Sequence, residues 1–340
     1  MKNKFWRLTL DTNPEDCNLN CIMCEEHSPY SNFKEELFQK TGVRRRRMPA
    51  GWIEKIFAEA KELGVQEIIP STMGEPLLYR HIDDFFILAK KYGIKINLTT
   101  NGTFPKKTLE EWAELIIPVT SDTKISLNGA TKQTAEKIMT GLNFEKQIEN
   151  IKNFVAYRNQ YYRQSGFYSR ITLQLTFMQN NMHELPEIIK LAAGLDIDRI
   201  KGHHLWTHFD EIKQLSFKND EKSMQKWNNL VDMAYEAVEK YRKPNGQKIL
   251  LEQIGYLKLQ ETQEVPYEYD CPFLEKELWI SATGKISPCC APDEQRDSLG
   301  DFGTYPATSL KDVLASKMYN DLVKNYKEHP LCKVCVMRKA

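Results

Sequence analysis

The sequence predicts an α/β protein, with a parallel sheet curled into a partial (β/α)6 barrel and a small cysteine-bearing unit behind it. Three observations carry this expectation. Strand-like and helix-like runs alternate six times between Phe5 and Trp206, which makes a parallel sheet with right-handed crossovers. No glycine-rich dinucleotide fingerprint follows a strand, and the regular spacing favours a barrel over a doubly wound sheet. After Trp206 the rhythm stops, and five of the eight cysteines lie beyond it.

The first strand is read in "FWRLTLDT", whose alternation has period two. A loop with Cys17, Cys21 and Cys24 follows. "GWIEKIFAEAKELG" has apolar residues at helical spacing and stops at Gly64. "QEIIPST", "KINLTTNG", "TKISLNG", "RITLQLTFM" and "DRIKGHHLW" supply strands two to six. Between them come the helices "IDDFFILAKKYG", "KKTLEEWAELI", one long stretch from about Lys132 to Tyr157, and "ELPEIIKLAAGL". A helix near Lys222 to Arg242 leads to the turn "KPNGQK". The expected division is a barrel over 1–206, a helical connection over 207–266 and a C-terminal unit over 267–340.

Apolar residues make up 41% of the 340, enough for a full core. With 47 basic and 46 acidic side chains the net charge is +1, so nothing points to nucleic acid or a membrane surface. The amino terminus lacks an apolar signal core, and no run approaches the roughly 20 apolar residues of a bilayer span. A cytoplasmic protein is expected. In a reducing compartment and a chain this long, clustered cysteines point to metal rather than disulfides.

Cys17, Cys21 and Cys24 form a C-x3-C-x2-C loop. Three thiolates leave one metal position open, which suits a reactive site, and thiolates are the usual ligands of iron–sulfur clusters. Zinc is the alternative, with His27 or a distant cysteine as fourth ligand. Following the first strand, the loop belongs at the carboxyl end of the barrel, where active sites sit.

This loop resembles the signature of the radical S-adenosylmethionine (radical SAM) enzymes. The resemblance implies that Cys17, Cys21 and Cys24 hold a [4Fe–4S] cluster whose fourth iron is chelated by S-adenosylmethionine. Reductive cleavage then gives a 5′-deoxyadenosyl radical that abstracts a substrate hydrogen. The residue before the third cysteine, often aromatic in the family, is Met23 here and is expected beside the adenine. "STMGEPLL" resembles the family's Gly-Gly-Glu segment, with Met73 for the first glycine. Gly74 would permit close backbone approach, and Glu75 would accept the cofactor's ammonium. "TTNGT" exposes backbone at Asn101 and Gly102. "ISLNGA" resembles the family's Ser-x-Asp-Gly segment with Asn128 for Asp, making Ser126 and Asn128 candidate cofactor contacts. Gln174, on the fifth strand, is a candidate to line the cavity.

Cys271 and Cys289 fall in the pattern C-x12-G-x4-C around Gly284, and Cys332 and Cys335 form a C-x2-C pair. Four thiolates make a closed site, and from spacing alone a zinc ribbon is as good a reading as a cluster. The family resemblance extends here. Many of its members carry a C-terminal SPASM or twitch extension, and this pattern looks like the shorter twitch form, which implies one auxiliary [4Fe–4S] cluster. Cys290 is left over. It is either a buried small apolar residue, an alternative ligand, or a hydrogen-atom donor to a substrate radical.

Arg44, Arg45, Arg46 and Arg47 lie between the cluster loop and the first helix. They are either a solvated face or an anion site for substrate. Of His203 and His204 one should face into the barrel, as an acid–base or substrate-contact candidate, and the other outward. His27, directly after the cluster loop, is a further substrate candidate. The interleaved run "YRNQYYRQSGFYSR" reads as a loop on the strand-start side rather than a nucleic-acid surface.

The sequence thus predicts a radical SAM enzyme acting in peptide or natural-product modification, with a flavodoxin- or ferredoxin-type electron donor. A small anionic metabolite is the alternative substrate, motivated by the arginines. A non-enzymatic zinc or iron–sulfur protein is the alternative of another class.

Overall fold

The structure is a computed structural model that describes residues 5–71, 73–218, 220–258 and 265–339. Thr72, at the end of the expected second strand, and residues 259–264 of the expected helical connection lie outside these described residues. The strands are β1 (Arg7–Leu10), β2 (Asn20–Cys21), β3 (Glu67–Ile69), β4 (Lys95–Thr100), β5 (Thr120–Ser126) and β6 (Met139–Thr140). They continue as β7 (Arg170–Phe177), β8 (Arg199–His204), β9 (Leu250–Glu252), β10 (Glu277–Ile280) and β11 (Ile286–Ser287). Nine form one sheet in the order β11-β10-β1-β3-β4-β5-β7-β8-β9. The six strands read from the sequence are β1, β3, β4, β5, β7 and β8, each parallel to the next.

The helices before the C-terminal unit are α1 (Phe33–Thr41), α2 (Ala50–Glu62), α3 (Ile82–Tyr92), α4 (Leu109–Ile116), α5 (Lys132–Ile138), α6 (Phe144–Ser165), α7 (Leu185–Gly194) and α8 (Glu221–Lys240), and that unit adds α9 (Asp293–Arg296), α10 (Leu310–Ala315), α11 (Lys317–Asn325) and α12 (Pro330–Lys333). In α2 the buried residues Ile53, Ile56, Phe57 and Ala60 recur at helical spacing and make one apolar stripe. α3 stops at Gly93, which takes a left-handed φ of 67°. α4 starts on a capping box between Thr108 and Glu111. Against these helices the sheet packs Leu8, Leu10, Ile68, Ile96, Leu98, Ile125, Leu173 and Ile200, all fully buried.

The alternate side chains of the same strands are polar, and they bond across the sheet. Glu277 takes Arg7 and Thr9. Asn97 donates to Glu67 at 3.0 Å and accepts from Lys124 at 2.6 Å. Arg199 joins Asp122 to Glu252. Burial holds the Lys124 ammonium down at a pKa of about 8.

Three features differ from the sequence reading. The expected helix from Lys132 to Tyr157 is two helices, parted by β6 and by Gly141 at φ 93°, and α6 restarts on an Asn143 cap and runs to Ser165, through most of the "YRNQYYRQSGFYSR" run that reads as a loop. α1 occupies part of what reads as loop. The sheet also outgrows six strands: β10 adds in parallel to β1, β11 folds back on β10, and β9 adds to β8. No described helix is long and apolar enough to cross a membrane.

Candidate active site and cysteine clusters

Cys17, Cys21 and Cys24 lie on the loop after β1 and line one cavity of about 320 Å³, a size in the range of small-molecule sites. The strand ends bring the other walls. Gly74 and Glu75 come from the end of β3, Asn101 from β4, Ser126 and Asn128 from β5, Gln174 from β7 and His203 from β8. Met23 and His27 border it from the loop itself.

The loop is held on four sides. From β3, the Glu75 amide donates to Asp16 O at 2.7 Å, and Asn13 donates back to Glu75 O at 3.0 Å. From β4, Asn101 Nδ2 reaches Asn18 Oδ1 at 2.9 Å. From the helix break, β6 pairs antiparallel with β2, and the Ile22 amide donates to Ile138 O at 3.0 Å. From the arginine run, Arg47 grips both oxygens of Asp16 at 2.8 and 3.1 Å, and Arg46 Nε donates to Glu15 at 2.6 Å.

Glu75 is buried, and its carboxylate accepts from Leu77 N at 3.1 Å, Thr100 Oγ1 at 2.8 Å and Asn101 N at 2.7 Å. Burial raises its pKa to about 7, against the pull of those three donors. The thiols are likewise pushed up by burial, Cys17 to about 11, and Cys21 further by its two neighbouring thiols. Among the described residues no three His, Cys, Asp or Glu side chains are grouped to hold a single metal ion.

Several candidates stand elsewhere than the sequence suggests. The close approach at Gly74 is to the chain itself: an ideal Cβ there would lie 2.6 to 2.9 Å from the carbonyl oxygens of Asn13, Pro14 and Asp16. His27, at the cavity border, is engaged at both ring nitrogens, Nε2 donating to Pro14 O at 2.7 Å and Nδ1 accepting from Lys34 at 3.1 Å, which leaves neither nitrogen free as a metal ligand. Arg44, Arg45, Arg46 and Arg47 do not line the cavity, and Glu35, Asp16, Glu15 and Glu26 face their guanidinium groups. They are no substrate pocket.

His203 faces the cavity, with Nε2 at 3.1 Å from Thr176 Oγ1. His204 turns the other way, away from the cavity lining, and meets the ring edges of Phe217 and Trp227 at 4.9 and 5.1 Å. Desolvation lowers the His204 imidazole to about 4. Cys290 is not at the cavity either. Its thiol donates to Cys289, whose pKa it pulls down to about 7, and it interacts with Cys335 and Cys271. It therefore belongs to the second cysteine group.

That group gathers Cys271, Cys289, Cys332 and Cys335, whose charges influence one another. Backbone amides already point at its sulfurs, Leu274 N to Cys271 and Ala291 N to Cys289, both at 3.4 Å. In the barrel Leu19 N does the same for Cys17 at 3.5 Å. Such N–H···S contacts favour the thiolate over the thiol.

Sequence reasoning missed Thr176, Trp206, His208 and Met139, which line the cavity, and Gln147, which binds Asn101 O and Ser126 O at 2.7 and 2.9 Å from α6. Trp206 and His208 follow the sixth strand directly, a position that marks barrel-mouth residues. Nothing local marks Gln147.

The family model of the radical SAM superfamily matches residues 14–192, and that of an iron-sulfur cluster-binding domain, SPASM, matches 271–336. This chain belongs to the radical SAM superfamily. It is an enzyme, and its cofactors are a [4Fe–4S] cluster, auxiliary iron–sulfur binding and S-adenosylmethionine, so the non-enzymatic alternative falls. A Pyrococcus furiosus protein described as a tungsten-containing aldehyde ferredoxin oxidoreductase cofactor-modifying protein is 25% identical, over 95% of this chain and 85% of its own. In fold the chain is similar to Streptococcus suis SuiB bound to S-adenosylmethionine, with TM-score 0.68, 18% identity and coverage of 98% and 72%. It is also similar to anSMEcpe with bound AdoMet and a peptide, with TM-score 0.66, 16% identity and coverage of 98% and 89%.

Proposed function

We propose that Cys17, Cys21 and Cys24 hold the catalytic cluster and that Gly74, Glu75, Asn101, Ser126, Asn128 and Gln174, with Met23, hold S-adenosylmethionine. The substrate is a peptide or a peptide-like natural product. The observation that carries this is the meeting of the three-cysteine loop with five strand ends around one cavity. When bound, the cluster and S-adenosylmethionine supply a carbon radical able to take a substrate hydrogen.

The chain's own residues prepare that step. Glu75 is immobilised by three donors, and its Oε2, with one of them, keeps capacity for the ammonium of S-adenosylmethionine. His203 stands beside Thr176, able to give or take a proton at the substrate's side of the cavity. Buried Leu19, Met139 and Leu205 exclude water from the same space.

The peptide reading gains from the arginines. They motivated an anionic metabolite, and they face the chain's own carboxylates instead. Exposed Trp206 and His208 border the opening. It agrees with SuiB being solved with a precursor peptide. A second reading, modification of a small cofactor precursor, has the description of the Pyrococcus furiosus relative in its favour. Cys271, Cys289, Cys332 and Cys335 hold a single auxiliary cluster with Cys290 donating to Cys289. The enzyme is cytoplasmic and takes its electron from a flavodoxin- or ferredoxin-type carrier.

Anaerobic incubation with S-adenosylmethionine and dithionite tests the reading by release of 5′-deoxyadenosine. The triple replacement of Cys17, Cys21 and Cys24 by Ala should abolish it and lower bound iron from roughly eight to roughly four per chain. A colourless protein carrying zinc would overturn the assignment. Faster release with a peptide panel than with small organic anions separates the two substrate readings.

A further inference from the structure

The arginine run and α1 remain outside the active-site account, and together they form one surface. We propose that this surface, from Tyr30 to Arg45, docks a small acidic one-electron carrier protein on the outer side of the cluster loop. The inference rests on the reading of Cys17, Cys21 and Cys24 given above.

α1 has no buried residue. Tyr30 and Val43, which flank it, are exposed. From Tyr30 to Arg45 the chain carries four basic and two acidic side chains, a net +2 in a protein whose total is +1, and Arg46 and Arg47 follow directly. The inner part of that charge is committed to the loop: Lys34 bonds His27, and Arg46 and Arg47 hold Glu15 and Asp16. The outer part faces solvent. Arg44 is 67% and Arg45 64% exposed, and Lys40 has no carboxylate partner among the described residues. The Arg44 guanidinium sits over the Phe38 ring, 3.8 Å from its centroid, with Glu35 at 3.9 Å.

Exposed cations of this kind add little to folding, but they steer an oppositely charged partner. Their position suits an electron donor. Arg45 lies 3.5 Å from Asp16, the residue next to Cys17. None of the four arginines lines the cavity. In the transfer the reduced carrier loses one electron and the cluster gains it, and no bond or proton changes hands at this surface.

The test uses reconstituted enzyme and a flavodoxin reduced by its NADPH-dependent reductase, with dithionite as the reductant that needs no docking. For the double variant Lys40→Glu, Arg44→Glu, flavodoxin-driven release of 5′-deoxyadenosine should fall about tenfold at low ionic strength. Dithionite-driven release should stay unchanged. The Kd of oxidised flavodoxin for the enzyme, and for cluster-free protein, should weaken about as much and also weaken with salt for the wild type. The charge-preserving variant Lys40→Arg, Arg44→Lys should behave as wild type. An unchanged Kd and rate would overturn the proposal, as would an equal loss with both reductants. If wild-type protein releases no 5′-deoxyadenosine with dithionite, the reading of the cysteine loop fails, while the Kd measurements still decide the surface.

Discussion

Gly74 shows how tightly the cofactor wall is built at the scale of one residue. Its φ of 72° and the three carbonyl oxygens around its missing side chain exclude any Cβ. Gly74→Ala should cost at least about 2 kcal/mol and lower bound iron, because the strain falls on the loop before Cys17. Gly42→Ala, at φ 70° with nothing within 4 Å, should cost only about 1 kcal/mol and keep its iron. Thermal unfolding and iron content of the two variants check this. Glu75 and His204 give opposite pH responses. Glu75 stays protonated up to about 7 when folded, while its unfolded pKa is near 4.5, so its contribution to stability is lost as pH rises between those values. His204 resists protonation down to about 4, so its contribution is lost as pH falls below 6.5. Urea midpoints of metal-free protein should therefore depend less on pH between 4.5 and 7 in Glu75→Gln. In His204→Phe they should fall less on acidification, and the buried Nδ1 that lacks a partner disappears.

At the scale of the element, alternation and helical period were readable wherever a segment was long enough to show them. β4, β7, α2 and α3 are such cases. Alternation in β8 also required one of His203 and His204 to face inward, but its phase depends on the pairing with β7, which sequence alone does not contain. β2, β6 and β9 have two or three residues each, too few for a period. The break between α5 and α6 was marked by Gly141 and by Asn143, yet the apolar spacing runs through it. The arginines could be recognised as a charged loop, whereas their partners Glu15, Asp16 and Glu26 meet them only through the fold. Glu59 on α2 is another contact of that sort. It accepts from Tyr305 Oη at 3.1 Å and Leu310 N at 2.9 Å, tying the barrel to the C-terminal unit. Glu59→Ala should raise hydrogen exchange over 305–325 and leave release of 5′-deoxyadenosine with dithionite close to wild type. Exchange unchanged in that segment would show the tie to be idle.

For the whole molecule, the sheet order matters more than the count of strands. The sequence divides the chain near residue 267, because the cysteines after it form their own set. The hydrogen bonds cross that line. β10 covers the edge of β1 over Arg7 to Leu10, and Glu277 sits buried between Arg7 and Thr9. Leu278 and Ile280 fill the core of the barrel sheet. Ending the chain at residue 266 would bare a strand edge and leave Arg7 without its buried carboxylate, at a cost of about 3 kcal/mol or more from the broken pair alone. The truncated protein should aggregate or lose its cooperative unfolding, and with it the barrel cluster. Cys332→Ala removes only one sulfur of the second group and leaves β10 in place. It should keep the far-ultraviolet circular dichroism, about half of the iron and some release of 5′-deoxyadenosine. If the truncated chain instead folded cooperatively and held its cluster, the C-terminal unit would be an appendage rather than the closing edge of the barrel.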